Sequence, residues 1–353
     1  MTGSFTPPDL DHKKVLIVRL SALGDVIRTL PAVLGLMRRF PEARFTWLVE
    51  DSSAGLLRAL PGLDLIEVPR AEMRARDPRR VMRAWRRVRA AVRAEAFDLS
   101  IDFHGVLKSG IYPLLSGIPL RIGYERGGSK EGHRWLINGR FALPEPRVSR
   151  YERNMALARF FSKDVVPAVP DFQLAPERVA RVDAATADRP LLLFPGTSEH
   201  GRNKRWPAKY WAWLYRKLTE SSESGPVRFV FGPADGAYRE ALTELLEQAP
   251  PELPSFSLVE LTRALQRARL LVSCDSGPMH LASVLGVPLV AMLGPSDPVL
   301  NQPLPGRNRL IVPEAPCAPC RNRKCPVLIC QDLTTPRHVW GQVVSLLEEL
   351  EAS

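Results

Sequence analysis

Apolar runs alternate with longer amphipathic stretches along the whole chain. In the first half the runs are KVLIVRL, RFTWLVE, LDLIEVP, FDLSIDF and LRIGYE, and in the second half they are PLLLFPG, VRFVFGP, LLVSCDSG and PLVAMLGP. Short apolar runs separated by helix-length stretches are typical of βαβ units with a parallel sheet. The pattern therefore predicts the α/β class, with two Rossmann-like domains that face each other across a cleft.

The boundary between the two halves is predicted from composition. Residues 166–190 are rich in proline and alanine and only weakly periodic, which indicates a linker. An N-terminal domain would then cover 1–165 and a C-terminal domain 191–335. The last stretch, 336–353, predicts an amphipathic helix, and the N-terminal domain is one candidate for the surface on which it docks.

A single acid stands where the first strand gives way to a helix, in VLIVRLSALGDVIRTLPAV. Asp25 would lie just beyond the carboxyl end of that strand, which is the edge where open α/β sheets bind ligands. Two interpretations follow from the sequence: Asp25 takes part in chemistry, or it caps the helix.

The stretch LLVSCDSGPMHLASVLGVPLV predicts a second site, because a buried strand ends and a helix begins at once. Asp275 or Ser276 can cap this helix, and Gly277 lets a ligand approach the backbone. The N–H groups and the dipole of the helix favour a diphosphate, and His280, about one turn further on, can add a donor. The alternative is a helix start with a chance histidine.

A loop in FPGTSEHGRNKRWPAKYW follows another strand of the same domain. Thr197 and Ser198 can donate hydrogen bonds to phosphate oxygens, and Lys204 can neutralise a departing diphosphate. Since the carboxyl ends of parallel strands share one edge of a sheet, this loop and the Asp275 loop are expected to open on the same side.

Charge narrows the choice of partner. The chain has 353 residues with 49 Lys and Arg against 38 Asp and Glu, a net charge of +11. Residues 70–93 contain ten arginines. Such a run suits a polyanion, which could be nucleic acid, an anionic membrane surface or a phosphorylated glycolipid. The alternative is a solvated helix face.

Several function classes lose support. There is no G-x-x-x-x-G-K-[ST], and no G-x-G-x-x-G follows the first strand, which disfavours P-loop kinases and standard NAD dehydrogenases. The polar N-terminus has no signal-peptide pattern, and no apolar run is long enough to span a bilayer. The sequence therefore predicts a soluble cytoplasmic protein.

Four motifs occur in the order VLIVRLSALGDVIRTLPAV, DLSIDFHGVLKSG, PGTSEHGRNKRWP and SCDSGPMHLASVLGVPLVAMLGPSDP. Together they resemble the ADP-heptose:lipopolysaccharide heptosyltransferases of glycosyltransferase family nine, over residues 14–350. The resemblance implies a GT-B architecture, with the acceptor on the N-terminal domain and the nucleotide sugar on the C-terminal domain. It also implies ADP-heptose as the donor substrate, with no cofactor and no metal.

The resemblance implies a role for each matching position. Asp25 is the expected general base in its S-x-x-G-D turn, and Gly24 beside it is expected to contact the acceptor. Lys204 is expected to bind the diphosphate and to stabilise its growing charge. The remaining expected donor contacts are Thr197, Ser198, Asp275, Ser276, Gly277 and His280, with Phe256 against the adenine and Asp235, or its rival Glu240, on the ribose.

The resemblance also implies a ligand for the basic residues 70–93. Arg79 and Arg80, together with Lys108, are expected to hold the carboxylates and phosphates of a Kdo-lipid A type acceptor. The protein would then be peripheral on the cytoplasmic face of the inner membrane and would not bind nucleic acid. Two rival functions stay open, a basic nucleic-acid-binding protein and a sugar-nucleotide epimerase of similar build.

Four of the five cysteines lie close together, as Cys317, Cys320, Cys325 and Cys330. Four thiolates at this spacing could hold zinc or an iron–sulfur cluster. A loop of reduced or opportunistically paired cysteines is the favoured interpretation, because sugar transfer has no evident need for a metal.

Overall fold

The computed structural model describes residues 5–125, 127–145, 147–221, 224–320, 322 and 324–352. The chain divides into two compact units, Met1–Gln173 and Leu174–Ser353. Each unit has its own parallel sheet flanked by helices, so the prediction of two Rossmann-like domains is confirmed. Among the described residues, no helix is both long and apolar enough to cross a membrane.

Unit 1 is built on a six-stranded parallel sheet in the order β3-β2-β1-β4-β5-β6. Its strands are β1 Lys14–Val18, β2 Arg44–Glu50, β3 Leu63–Val68, β4 Leu99–Asp102, β5 Leu120–Tyr124 and β6 Gly139–Phe141. Its helices are α1 Leu23–Arg39, α2 Asp51–Leu57, α3 Arg70–Met73, α4 Pro78–Ala94, α5 Leu107–Leu115 and α6 Arg150–Arg159. The first five strands match the predicted apolar runs. The sequence analysis missed the short edge strand β6, because its three residues include a glycine and an exposed arginine.

Unit 2 has a five-stranded parallel sheet in the order β11-β10-β9-β7-β8. Its strands are β7 Leu191–Phe194, β8 Val227–Phe229, β9 Leu270–Cys274, β10 Leu289–Met292 and β11 Asn308–Ile311. Its helices are α7 Pro176–Ala185, α8 Ala208–Glu220, α9 Gly236–Leu246, α10 Leu258–Arg267, α11 Gly277–Val284, α12 Pro298–Asn301, α13 Ile329–Asp332 and α14 Pro336–Glu351. The edge strand β11 was also missed, because three of its four residues are only partly buried and its apolar pattern is short.

The C-terminal helix α14 packs within unit 2, which corrects the expectation that it could dock on the N-terminal domain. Val339, Val343, Leu346 and Leu347 are buried in the core of unit 2. They pack with α8 and with the β10–β11 side of the sheet. This apolar stripe at helical spacing finds its partner in the same unit, because β10 and β11 leave a face of the sheet to be covered.

The expected linker 166–190 contains the helix α7, which belongs to unit 2. Only Val182 of this helix is fully buried, so hydrophobic periodicity gives little sign of it. The helix is held instead by ion pairs to α10: Asp183 lies 2.8 Å from Nη2 of Arg263, and Arg181 lies 2.8 Å from Oε1 of Glu260. Ion pairs between two helices that are far apart in the sequence leave no hydrophobic periodicity in either helix. The composition of residues 166–190 therefore indicated a linker instead of a helix.

In each sheet the strand order reverses once. The reversal in unit 1 lies between β1 and β4, and the reversal in unit 2 lies between β7 and β9. Helices that leave the two central strands diverge at this point, so a crevice opens beyond the carboxyl ends of the strands, where open α/β sheets bind ligands. Asp25 follows β1, and Asp275 follows β9, so both predicted acids occupy such positions.

Candidate active site

Asp25 lies in the first turn of α1 and is an ion-pair centre. The N-cap of α1 is Ala22, which has no side-chain capping bond. The carboxylate of Asp25 meets three arginines: Oδ2 lies 2.7 Å from Nη2 of Arg19, and Oδ1 lies 2.5 Å from Nη2 of Arg28 and 3.0 Å from Nη1 of Arg150. Asp25 is therefore not the helix cap, although the helix dipole favours its negative charge in the first turn.

The arginines determine the protonation state of Asp25. Burial by itself would raise the pKa of this carboxyl, but the guanidinium groups of Arg19, Arg28 and Arg150 outweigh burial and hold the pKa well below its usual range. Asp25 is thus ionised at neutral pH. Its side chain is 21% exposed, so the residue is partly open to solvent.

The loop after β4 is anchored by a buried pair. Asp102 accepts hydrogen bonds from the backbone N–H groups of His104 and Gly105, at 2.7 and 2.9 Å, and its other oxygen lies 2.7 Å from Nε2 of His133. Burial would raise the pKa of Asp102, but the contacts with His133 and the backbone lower it. The anchored loop places His104 beside the Asp25 cluster, since the charges of Arg19 and Asp25 both act on it.

His133 fits only because two neighbours are glycines. A Cβ on Gly110 would lie 2.9 Å from Cδ2 of His133, and a Cβ on Gly123 would lie 2.9 Å from Cε1. Both distances are shorter than real Cβ contacts, and the clash would be with a buried ring rather than with the end of a mobile chain. The imidazole therefore occupies a slot that α5 and β5 form together.

The predicted acceptor residues lie on the carboxyl side of the unit 1 sheet. Arg79 and Arg80 are exposed in the first turn of α4, the crossover helix that follows β3. Lys108, in the first turn of α5, places Nζ 2.5 Å from Oε1 of the buried Glu50, and Arg70 lies 3.7 Å from the other oxygen of that acid. Glu50 thus fixes Lys108, and the sequence analysis did not single it out.

In unit 2 the two predicted loops meet. Nζ of Lys204 lies 2.7 Å from Oδ2 of Asp275, and the hydroxyl of Ser296 donates to the same oxygen at 2.5 Å. Nε2 of His280 lies 3.5 Å from Oδ1 of Asp275. Burial would raise the pKa of Asp275, but His280 and Lys204 outweigh it and lower the pKa strongly. The side chain of Asp275 is 3% exposed and fixes the positions of Lys204 and His280, and its contact with the donor stays a prediction.

The first turn of α11 is open to an anion. Ser276 is the N-cap, but its side chain makes no capping bond, and its hydroxyl lies 3.1 Å from that of Ser273. The backbone N–H groups at the start of the helix, including that of Gly277, are therefore not occupied by a capping side chain. Together with the nearby Lys204 they form a group of donors and positive charge that suits a phosphate.

The loop after β7 is organised by an arginine that the sequence analysis missed. Arg205 donates to the side chain and the carbonyl of Thr197, at 3.2 and 3.0 Å, and to Oδ1 of Asp235 at 3.1 Å. The Thr197 hydroxyl donates to the Gly201 carbonyl at 3.0 Å, whereas Ser198 is exposed. Ser198 is thus the more accessible of the two predicted phosphate donors.

Asp235 lies inside the unit 2 loops. It is 3% exposed, its Oδ2 accepts from the N–H of Gly232 at 2.8 Å, and a Cβ on Gly196 would lie 2.1 Å from that oxygen. The ribose contact of Asp235 stays a prediction, and it requires the acid to leave these partners. The rival Glu240 is exposed on α9.

Phe256 lies just before α10 and is partly buried. The guanidinium carbon of Arg181 lies 5.3 Å from the centroid of its ring, a cation–π contact. One face of the ring is therefore covered, and a stacked adenine would use the other face or displace Arg181.

The cysteine group carries no disulfide. Cys317, Cys320, Cys325 and Cys330 are free thiols, of which Cys317 is exposed and Cys330 is buried. In the part of the chain that the structure describes, no three His, Cys, Asp or Glu side chains are arranged to hold a metal ion.

The model of glycosyltransferase family 9 (heptosyltransferase) matches residues 85–330, which is more than half of the chain. The chain belongs to this family. It is a glycosyltransferase, and the Asp275 cluster lies inside the matched range, whereas Asp25 precedes it.

Individual members of the family extend the likeness to most of the chain. The chain is 32% identical over 329 residues to lipopolysaccharide heptosyltransferase 1 of Pseudomonas aeruginosa, covering 88% of this chain and 87% of the relative. A family 9 glycosyltransferase structure from Veillonella parvula aligns with a TM-score of 0.80 at 20% identity, over 97% and 99% of the two chains. An E. coli heptosyltransferase structure with ADP-2-deoxy-2-fluoro heptose aligns with a TM-score of 0.71 at 22% identity, over 95% and 99%.

The structure of this glycosyltransferase also adds residues that the sequence analysis missed around Asp25. Arg19 and Arg28 stand within the first motif, and Arg28 lies three positions after Asp25 on α1, so helical spacing could have revealed that pair. Arg150 is 125 residues away from Asp25 in the sequence and carries no local signal.

Proposed function

We propose that this protein is an inverting heptosyltransferase that moves heptose from ADP-L-glycero-D-manno-heptose to the anionic inner core of lipopolysaccharide. The observation that carries the proposal is Asp25, an ionised and accessible carboxylate at the strand-order reversal of unit 1 in a family 9 chain. Names of the relatives support the substrates, since they include lipopolysaccharide heptosyltransferases 1 and 2 and a structure with a fluorinated ADP-heptose.

On the acceptor side, Asp25 is the proposed general base. The acceptor hydroxyl oxygen forms a bond to the anomeric carbon of heptose while the bond from that carbon to the diphosphate oxygen breaks. The electron pair of the broken bond leaves with ADP, and the hydroxyl proton passes to the Asp25 carboxylate. A positioned base typically accelerates such a step by roughly 10²–10⁴-fold.

On the donor side, unit 2 supplies the positive charge that the leaving group needs. Lys204 and the N–H groups at the start of α11 bind the diphosphate, and Ser198 and His280 add hydrogen bonds. Asp275 keeps Lys204 in position between turnovers. Protein side chains therefore supply the charge stabilisation that this step requires.

The basic face of unit 1 is the proposed acceptor surface. Arg79 and Arg80 are exposed on α4, and Lys108 is 42% exposed although it is paired with Glu50. Carboxylates and phosphates of the inner core would bind these groups, and anionic lipid would hold the same face against the cytoplasmic side of the inner membrane. The protein would then act as a cytoplasmic enzyme that is peripheral to that membrane.

The test is reconstitution with defined substrates. Purified protein is mixed with ADP-heptose and either Kdo-lipid A or heptose-extended core, and products are followed by mass spectrometry and ADP release. We expect one acceptor to gain a single heptose in an enzyme-dependent reaction, which also names the acceptor. Turnover of ADP-heptose to an isomer without any acceptor would instead indicate an epimerase. Failure of both acceptors with an intact donor would overturn the proposed substrates.

A further inference from the structure

The three arginines around Asp25 differ in how firmly they are held. The side chains of Arg19 and Arg28 are 8% and 5% exposed, whereas that of Arg150 is 39% exposed. Arg19 also donates to the Phe103 carbonyl at 2.7 Å, and Arg28 lies in the buried part of α1. Arg150 is the first residue of α6 and reaches Asp25 from the surface. Of the three guanidinium groups, it is the one that a ligand can reach and move.

The complete cluster makes Asp25 a weak base. Three guanidinium groups lie within 3.0 Å of its two oxygens, and Oδ1 is shared between Arg28 and Arg150. Every nearby positive charge favours the ionised carboxylate and opposes the uptake of a proton. Nearby His104 does not offset them, because burial lowers its pKa to about 4 and it is neutral at pH 7. Lys108 is paired with Glu50.

We propose that an anionic group of the acceptor draws Arg150 away from Asp25, so that binding of the acceptor activates the base that will deprotonate it. The proposal rests on the proposed function, because it requires an anionic acceptor at Asp25. A carboxylate or phosphate offers a guanidinium two parallel charge-assisted hydrogen bonds, which compete with the bond that Arg150 donates to Oδ1 of Asp25. Asp25 keeps Arg19 and Arg28, which hold its orientation.

The release frees one lone-pair direction of Oδ1 for the acceptor hydroxyl. It also removes one of three positive charges, which raises the basicity of Asp25 at the moment when a proton must be accepted. When the acceptor is absent, the closed cluster keeps Asp25 a poor base toward water, so hydrolysis of the donor is disfavoured. Arg150 is thus a positioning residue that links recognition of the acceptor's charge to the chemical step.

The test compares two variants on three acceptors. The variants are Arg150→Gln and the matched control Arg140→Gln, an exposed arginine of the edge strand β6. The acceptors are the one identified by reconstitution, the same molecule with its sugar carboxylates reduced to alcohols, and the same molecule without its phosphates. For the wild type we expect kcat to fall by at least ~5-fold on the acceptor that lacks the capturing anion, because Arg150 then stays bound to Asp25. The two modified acceptors show whether a carboxylate or a phosphate is the capturing group.

The Arg150→Gln variant should lose this preference for the acceptor that carries the capturing anion. Its KM for the natural acceptor should rise by about tenfold, because a charge-assisted contact is lost. Its kcat should become nearly the same on all three acceptors and should exceed that of the wild type on the acceptor that lacks the capturing anion. Arg140→Gln should behave as the wild type does.

Two results would overturn the release of Arg150. One is a wild-type kcat that is the same on all three acceptors, which needs no variant and so does not depend on folding. The other is an Arg150→Gln variant, folded by circular dichroism, that loses kcat equally on the natural acceptor and on the acceptor without the capturing anion, as expected if Arg150 only holds Asp25 in place. Failure of the proposed function is separate, because the wild type would then transfer no heptose to the natural acceptor.

Discussion

Each unit places one aspartate in the segment that follows a central strand, at the point where the strand order reverses, and the two aspartates differ in their surroundings. Asp25 is accessible and meets three guanidinium groups, so its environment carries net positive charge. Asp275 is buried and pairs with Lys204 and His280. An accessible carboxylate in a positive field suits contact with an anionic substrate, whereas a buried one suits holding other side chains. The difference in exposure therefore separates the roles that the same residue type can take beyond the strand ends of two parallel sheets.

Replacement of Asp25 should have the largest effect of any change that tests this comparison. Asp25→Asn keeps the size of the side chain but removes its basicity, so kcat should fall by at least ~10²-fold while the affinity for ADP stays nearly constant. Initial rates and calorimetric titration with ADP measure the two effects. The matched control is Asp64→Asn, an exposed acid on β3, which should leave both unchanged. A turnover number near that of the wild type would remove Asp25 from the mechanism.

Replacement of Lys204 should give the next largest effect, and this effect should be on binding of the nucleotide-sugar donor. A hydrogen bond to a charged group contributes roughly 1.5–3 kcal/mol, so Lys204→Ala should weaken ADP binding about ten- to a hundredfold. The KM for the acceptor should change much less. Lys217→Ala, which removes an exposed lysine of α8 paired with Glu220, is the control. Unchanged affinity for ADP together with an unchanged turnover number would show that Lys204 does not serve the diphosphate.

The buried position of Asp275 predicts a pH-dependent contribution to stability. Its pKa in the folded state is lowered below the usual 3.8, so the unfolded chain binds a proton first as the pH falls, and acid favours unfolding. The ionised Asp275 thus stabilises the fold at neutral pH, and this contribution fades below about pH 4. In urea titrations, the stability gap between wild type and Asp275→Asn should be widest near pH 7 and narrow toward pH 3. A gap that is independent of pH would contradict the prediction.

Charge reversal on α4 should give a smaller effect, confined to the acceptor. The double change Arg79→Glu and Arg80→Glu should raise the KM for the acceptor several-fold and leave ADP binding unchanged. The increase should shrink in high salt, since exposed charges are screened over about 8–10 Å at physiological ionic strength. Competition with random duplex DNA is the counter-experiment. Tight binding of duplex that displaces the glycolipid would make this surface a nucleic-acid site instead.

Removal of metal should give the smallest effect. Both aspartates have cationic partners from the protein, so we expect activity to persist in chelator and the purified protein to contain well under one equivalent of zinc or iron. Elemental analysis and rates before and after chelation check this. Stoichiometric metal that is lost, together with thermal stability, in the Cys317→Ser and Cys320→Ser double variant would show that the cysteine group is a metal site.

Much of the fold was predictable because buried parallel strands leave a strong local pattern. The five apolar runs of the first half and the four of the second half all became strands, and the Asp25 and Asp275 turns lie where their motifs predicted. The missed elements have weak local signals. Strands β6 and β11 are short edge strands, and α7 is fixed by the ion pairs of Asp183 and Arg181 with another helix.

The positions of the two aspartates in the candidate site were predictable from the sequence, whereas most of the side chains that pair with them were not. The Lys204 and Asp275 loops follow neighbouring strands of one sheet, so strand topology alone implies that they meet. Arg150 reaches Asp25 across 125 residues, and no pattern along the chain encodes that contact. The family resemblance implied that Asp235 contacts ribose, but the burial of Asp235 depends on close packing against Gly196, which no pattern along the chain encodes.

The slot that holds His133 limits how acceptor specificity can be redesigned. Residues 103–108 look like an exchangeable loop, yet their shape depends on Asp102, and Asp102 depends on an imidazole that fits only beside Gly110 and Gly123. A graft of the loop alone would import side chains without the support that orients them. The natural module for recombination between homologous enzymes is therefore the continuous segment from β4 to the turn that carries His133, and chimaeras cut within that segment should express poorly.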